Sequence, residues 1–161
     1  MDADVPWLSE GEERLWRRWL RVNAVMATSL HQALQADSGL SLPDFEVLVH
    51  LTDVPHGRVR VTDLARALQW ERSRVSHHVT RMERRGLVGR QDCDEDARGA
   101  FVVLTAGGRA AIERAAPGHV RTVRRLFFDP LSDGEERAVG EALDKILAAL
   151  EAAGGREATQ T

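Results

Sequence analysis

The sequence predicts a mainly α-helical chain carrying a small sheet of two or three short strands. Three observations predict it. Apolar residues recur at helical spacing along most of the 161 residues. Two short β-like runs, Leu87-Val88 and Phe101-Val102-Val103-Leu104, flank a charged turn, Asp94-Glu95-Asp96-Ala97-Arg98-Gly99. Glycine and proline stand where the helical pattern would break. A composition of 43% hydrophobic and 29% charged residues is that of a globular chain, and this length is enough to bury a core.

The first helix begins at Ser9, with Glu12 three residues on in capping-box spacing. Leu15, Trp16, Trp19, Leu20, Val22, Val25, Met26, Leu30, Ala33 and Leu34 then wrap more than one of its faces. Such a helix, of about seven turns, needs neighbours on several sides. Asp37-Ser38-Gly39 ends it.

A second helix follows Ser41-Leu42-Pro43, with Phe45, Leu48, Val49 and Leu51 on its buried face. Val54-Pro55-His56-Gly57 breaks it. Next comes a short helix over 61–68, with Thr62 expected as its cap and Leu64, Ala65 and Leu68 inside. Gln69-Trp70-Glu71 connects it tightly to an arginine-rich helix, with Trp70 filling an apolar slot. Two short helices joined by three or four residues are the signature of a helix-turn-helix.

On the arginine-rich helix, Val75, Val79 and Met82 share one stripe at i, i+4 and i+7, while Arg74, Ser76, His77, Thr80, Arg81 and Arg84 project elsewhere. Its cap is expected at Ser73 or nearby, and Gly86 is placed to end it in a left-handed turn. After the two strands, Thr105 should cap a helix over 106–128 that Pro117-Gly118 bends or interrupts. The last helix opens on a Ser132-x-x-Glu135 box. Val139, Ala142, Leu143, Ile146, Leu147 and Leu150 form one regular apolar stripe along it.

Charge distribution says more than its total. The formal net charge is −3, yet residues 72–90 hold six arginines against the single acid Glu83. A basic stripe on an acidic body is an electrostatic footprint for phosphate. The whole reads as a winged helix-turn-helix, with a DNA-reading helix followed by a β-wing. Such a chain binds duplex DNA rather than catalysing a reaction.

Catalytic signatures are missing from the sequence: no nucleophile elbow, no glycine-rich phosphate loop and no paired carboxylates. The six histidines form no HxH or HxxxH pair, and no metal ligand or cofactor is expected. The single cysteine, Cys93, lies between two aspartates that would keep it protonated, so it is not expected to act as a redox switch. With no internal disulfide, no signal-peptide pattern and no apolar run near the ~20 residues that span a bilayer, a cytoplasmic location without membrane contact is expected.

A compact winged-helix lobe leaves helices at both chain ends with apolar faces to bury. A twofold dimer does so, and it suits the pseudo-twofold symmetry of duplex DNA. The expected division is 1–40 as an N-terminal dimerisation helix, 41–105 as the DNA-binding lobe, 106–153 as C-terminal dimerisation helices and 154–161 as a frayed tail.

In this layout the chain resembles the MarR family of bacterial transcriptional regulators. The similar residues are Val61-Thr62-Asp63-Leu64-Ala65, Ser73-x-Val75-Ser76, Glu83-Arg84-Arg85-Gly86-Leu87-Val88, Asp96-x-Arg98 and Leu104-Thr105-x-x-Gly108. The resemblance implies a homodimer, most simply a ligand-responsive repressor, on a pseudo-palindromic double-stranded operator. It places Arg74, Ser76, His77 and Arg81 against bases or groove, Arg98 in the wing contact, and Thr62, Ser73 and Arg90 on phosphate. The chain departs from the family's often basic wing, because Asp92, Asp94, Glu95 and Asp96 surround Arg98. Trp16 and Trp19, beside Arg17, Arg18 and Arg21, would line a pocket for a small aromatic or anionic effector. Two other readings share the fold: a metal-responsive regulator of the ArsR type, and a winged helix that docks on protein.

Overall fold

The computed structural model describes residues 5–92 and 100–158. The chain divides into two compact units, Met1–Val120 and Arg121–Thr161. In the first unit, helix α1 (Glu10–Ser38) precedes α2 (Leu42–Asp53), a 3-10 turn at Pro55–Gly57 and strand β1 (Arg58–Arg60). Helices α3 (Val61–Ala67) and α4 (Arg72–Arg84), strands β2 (Val88–Asp92) and β3 (Ala100–Leu104), and most of α5 (Ala106–Val123) complete it. The second unit holds the end of α5, a π-helical turn at Arg124–Phe128 and α6 (Asp133–Ala158).

The local signals act as their chemistry requires. Ser9 and Glu12 form a reciprocal capping box on α1, and Gly39 closes that helix at φ +69°. Ser41 and Asp44 form a second box on α2. Ahead of α6, Ser132 donates twice to the Glu135 carboxylate, from its N–H at 2.9 Å and from its hydroxyl at 2.6 Å. Gly86 ends the arginine-rich helix with φ +72°, a conformation that costs glycine nothing.

Several expectations need correction. Thr62 does not cap α3: Arg60 holds that position without a side-chain cap bond, and Thr62 sits exposed in the first turn. The cap of α4 falls on Glu71, not Ser73, again without a side-chain bond. Pro117 does not interrupt α5, which stays helical from Ala106 to Val123 before widening into the π turn. The sheet keeps to the expected two or three strands: the third is β1, for which the sequence offers only the triplet Arg-Val-Arg.

That sheet is antiparallel in the order β1-β3-β2, pairing Val59 with Val102 on one side of the central strand and Arg90 with Val102 on the other. Val102 is fully buried there. The core of the first unit joins Leu34 of α1 and Phe45, Val47, Leu48 and Leu51 of α2 to Leu64 of α3. Val75, Val79 and Met82 of α4, Val88 of β2, and Ala111, Ile112 and Ala115 of α5 complete it.

One close approach explains the Leu104-Thr105-x-x-Gly108 motif. A Cβ on Gly108 would lie 2.0 Å from the Leu87 carbonyl oxygen. Only glycine lets α5 start against the turn that ends the arginine-rich helix. The Thr105 hydroxyl lies 2.7 Å from the Gly86 carbonyl and accepts from the Gly108 N–H at 2.9 Å. The motif therefore fastens the back of the wing to the end of α4.

Candidate nucleic-acid interface

Helix α4 is anchored by three wholly buried residues, Val75, Val79 and Met82. At 3.6 residues per turn the stripe opposite them is Ser73, His77, Thr80 and Arg84, spaced i, i+4, i+7 and i+11. Ser73, His77 and Arg84 are exposed, and Thr80 is half-buried. Arg74 and Arg81 run along one flank of this outer stripe, both exposed, and half-buried Ser76 marks the other. The proposed base-reading residues Arg74, Ser76, His77 and Arg81 thus share one continuous outward surface with Ser73. Arg84 lies at its centre, although the sequence alone also allows it the lesser role of complementing the helix dipole.

Both flanking arginines are held from behind. The Arg74 guanidinium stacks over the Trp70 ring, 4.1 Å from its centroid. Arg81 Nη2 lies 3.0 Å from His78 Nδ1. Trp70 is half-buried against the core and His78 is buried.

His78 in turn faces Asp44 of α2, with Nε2 3.1 Å from Oδ1 along a path too bent for a well-aligned hydrogen bond. Arg85 Nη1 donates to the other Asp44 oxygen at 2.6 Å, and its Nη2 donates to the Gly39 carbonyl at 2.9 Å. Burial of Asp44 pushes its pKa upward. The His78 ring beside it, and bonds from the Ser41 N–H, Arg85 and the Ser41 hydroxyl, outweigh that and hold the carboxyl well below the usual carboxylate range. Nearby Glu46 is raised instead, because burial exceeds the pull of Arg74.

Arg90 has a structural use. From β2, its Nη2 donates to the Ser76 carbonyl at 2.9 Å and to Thr80 Oγ1 at 2.8 Å, and Nε lies 3.9 Å from Glu83. It therefore braces the wing strand against the reading helix. Thr62 is exposed on the first turn of α3. On the other edge of the sheet, Arg58 stacks 3.8 Å from the Phe101 centroid, with Arg60 5.3 Å away. Arg98 and Cys93 lie outside the described residues. Trp16 and Trp19 are 52% and 44% exposed on α1. Among the described residues no group of three or more His, Cys, Asp or Glu could hold a metal ion, and no helix is long and apolar enough to cross a membrane.

A helix-turn-helix whose second helix turns an arginine-lined face outward, backed by a three-stranded wing, defines a winged-helix DNA-binding protein. The MarR family profile matches residues 38–99. The chain is similar to AbsC, a MarR family transcriptional regulator from Streptomyces coelicolor, at 39% identity and a TM-score of 0.84, covering 91% of this chain and 99% of that one. It is also similar to a second MarR family regulator from the same organism, whose structure is in complex with DNA. That match has 36% identity and a TM-score of 0.86, covering 92% of this chain and 93% of the other. The HTH-type transcriptional repressor YetL of Bacillus subtilis is 27% identical over 114 residues, which are 69% of this chain and 68% of that protein. The chain belongs to the MarR family: it is a DNA-binding transcriptional regulator, not an enzyme.

Proposed function

We propose that this regulator acts as a homodimer on a pseudo-palindromic operator and represses by occluding promoter DNA. Helix α4 enters the major groove, where Arg74, Ser76, His77 and Arg81 meet base edges. Thr62, Ser73 and Arg90 touch phosphate, and Arg98 reaches from the wing toward the minor groove. The observation that carries this reading is the outward face of α4, with exposed arginines at its centre and flank over a fully buried stripe. A guanidinium there can bond guanine bidentately, with about 1–3 kcal/mol of discrimination.

Support for a dimer comes from apolar surface that the single chain leaves open. Leu15, Trp16, Trp19, Leu20, Val22 and Val25 are exposed on α1, and Ile146, Leu147 and Leu150 on α6. Exposed apolar surface on this scale marks an interaction face, and the two helices come from the two ends of the chain. A small aromatic or anionic effector beside Trp16 and Trp19 would change the spacing of the two reading helices and release the operator. The repressor role follows the similarity to YetL. Footprinting on the DNA upstream of the gene tests the proposal: a protected inverted repeat is expected, and no protected repeat would overturn it.

A further inference from the structure

Arg74 and Arg81 rest on two rings that themselves touch. Trp70 and His78 meet edge to face, with centroids 5.4 Å apart and planes at 88°. A tryptophan needs only its face to hold a guanidinium, but a histidine must offer a lone pair. Arginine donates and never accepts, so the 3.0 Å contact requires an unprotonated Nδ1 on His78. The single proton of the neutral ring then sits on Nε2, the nitrogen facing Asp44. Asp44 is only 2% exposed and is fixed by Ser41 and Arg85, so the charge of its carboxylate, 3.1 Å from Nε2, favours the tautomer with the proton on that side. An apolar side chain would fill the same space without burying two ring nitrogens.

We propose that His78 is a positioning residue for sequence reading: with its tautomer set by Asp44, it aims the Arg81 guanidinium before DNA arrives. Trp70 does the same for Arg74. Pre-ordering a long side chain lowers the entropy lost on binding and favours the one geometry that matches a base edge. The specificity of the outer face is thereby set partly from inside the protein, through a contact between α2 and α4. This inference rests on Arg81 meeting a base.

The test uses the full chain and a duplex that it selects from a randomised library. Affinity is measured for that duplex and for each single-base-pair variant of it. Arg81→Ala should flatten the preference at one or two base pairs by about tenfold. His78→Leu should flatten the same positions by roughly threefold or more and leave the others alone. His78→Gln should restore them, because its amide presents an oxygen toward Arg81 and an N–H toward Asp44. If Arg81→Ala leaves every preference unchanged, the base contact itself fails, and the positioning role with it. If Arg81→Ala acts but His78→Leu keeps full preference, or His78→Gln does not rescue, Arg81 is a reader and His78 only fills space. Should His78→Leu not fold, nitrogen NMR of the unaltered protein decides at neutral pH. A proton on His78 Nε2 is expected, and one on Nδ1 overturns the proposal.

Discussion

The Asp44 carboxylate accepts from the Ser41 N–H at the cap of α2 and from Arg85, His78 lies 3.1 Å away, and Arg85 reaches on to the carbonyl of Gly39, which closes α1. Removing one member of a buried ionic group leaves the others uncompensated, so Asp44→Ala should lose about 3–5 kcal/mol, measured by urea unfolding. The pH dependence follows from the same contacts. A carboxyl held below its unfolded value of about 3.9 contributes stability that is fully present above that pH. The contribution is lost as pH falls through the folded value. The wild-type protein should therefore lose stability between about pH 5 and pH 2 more steeply than Asp44→Asn. Equal slopes would show that the carboxylate is not held in its charged form. Arg90 offers a second residue-scale test. With two hydrogen bonds tying β2 to α4, Arg90→Ala should lower stability by about 1–3 kcal/mol in the absence of DNA. A pure phosphate contact would weaken DNA binding alone.

At the scale of elements, the junction of α4, the wing and α5 depends on backbone proximity. Gly108→Ala places a methyl group within the space of the Leu87 carbonyl and should cost about 1–3 kcal/mol; a fully stable variant would mean that α5 can slide away from the turn. This contact shows what a sequence reveals. Val75, Val79 and Met82, the boxes at Ser9 and Ser132, and the left-handed Gly86 are all legible, because each depends on residues within a turn or two. The Leu-Thr-x-x-Gly motif is visible as letters, but its reason is a contact to residues some twenty positions earlier. His78 and Asp44 stand 34 residues apart and Arg85 and Asp44 stand 41 apart, so their pairing has no local signal. Strand β1 escapes detection because three residues carry no period. Pro117 reads as a break, yet α5 continues through it. The outward placement of Arg74, His77 and Arg81 on α4 follows from the helical period, whereas the rings behind the arginines do not.

For the whole molecule, the apolar surface of α1 and α6 and the pseudo-twofold symmetry of DNA point to the same assembly. Replacing exposed Ile146 and Leu150 by glutamate should leave the fold of each chain intact and give monomers with weak operator affinity, seen by sedimentation. An unchanged dimer would place the interface elsewhere. Whether two chains present two α4 helices to one inverted repeat is tested most directly by the stoichiometry and spacing of the complex on the footprinted upstream duplex. Two chains per duplex are expected, with two protected half-sites one helical turn apart, about 10–10.5 base pairs centre to centre or a multiple of it. One chain bound to a single asymmetric site, or protection without sequence preference, would contradict that arrangement.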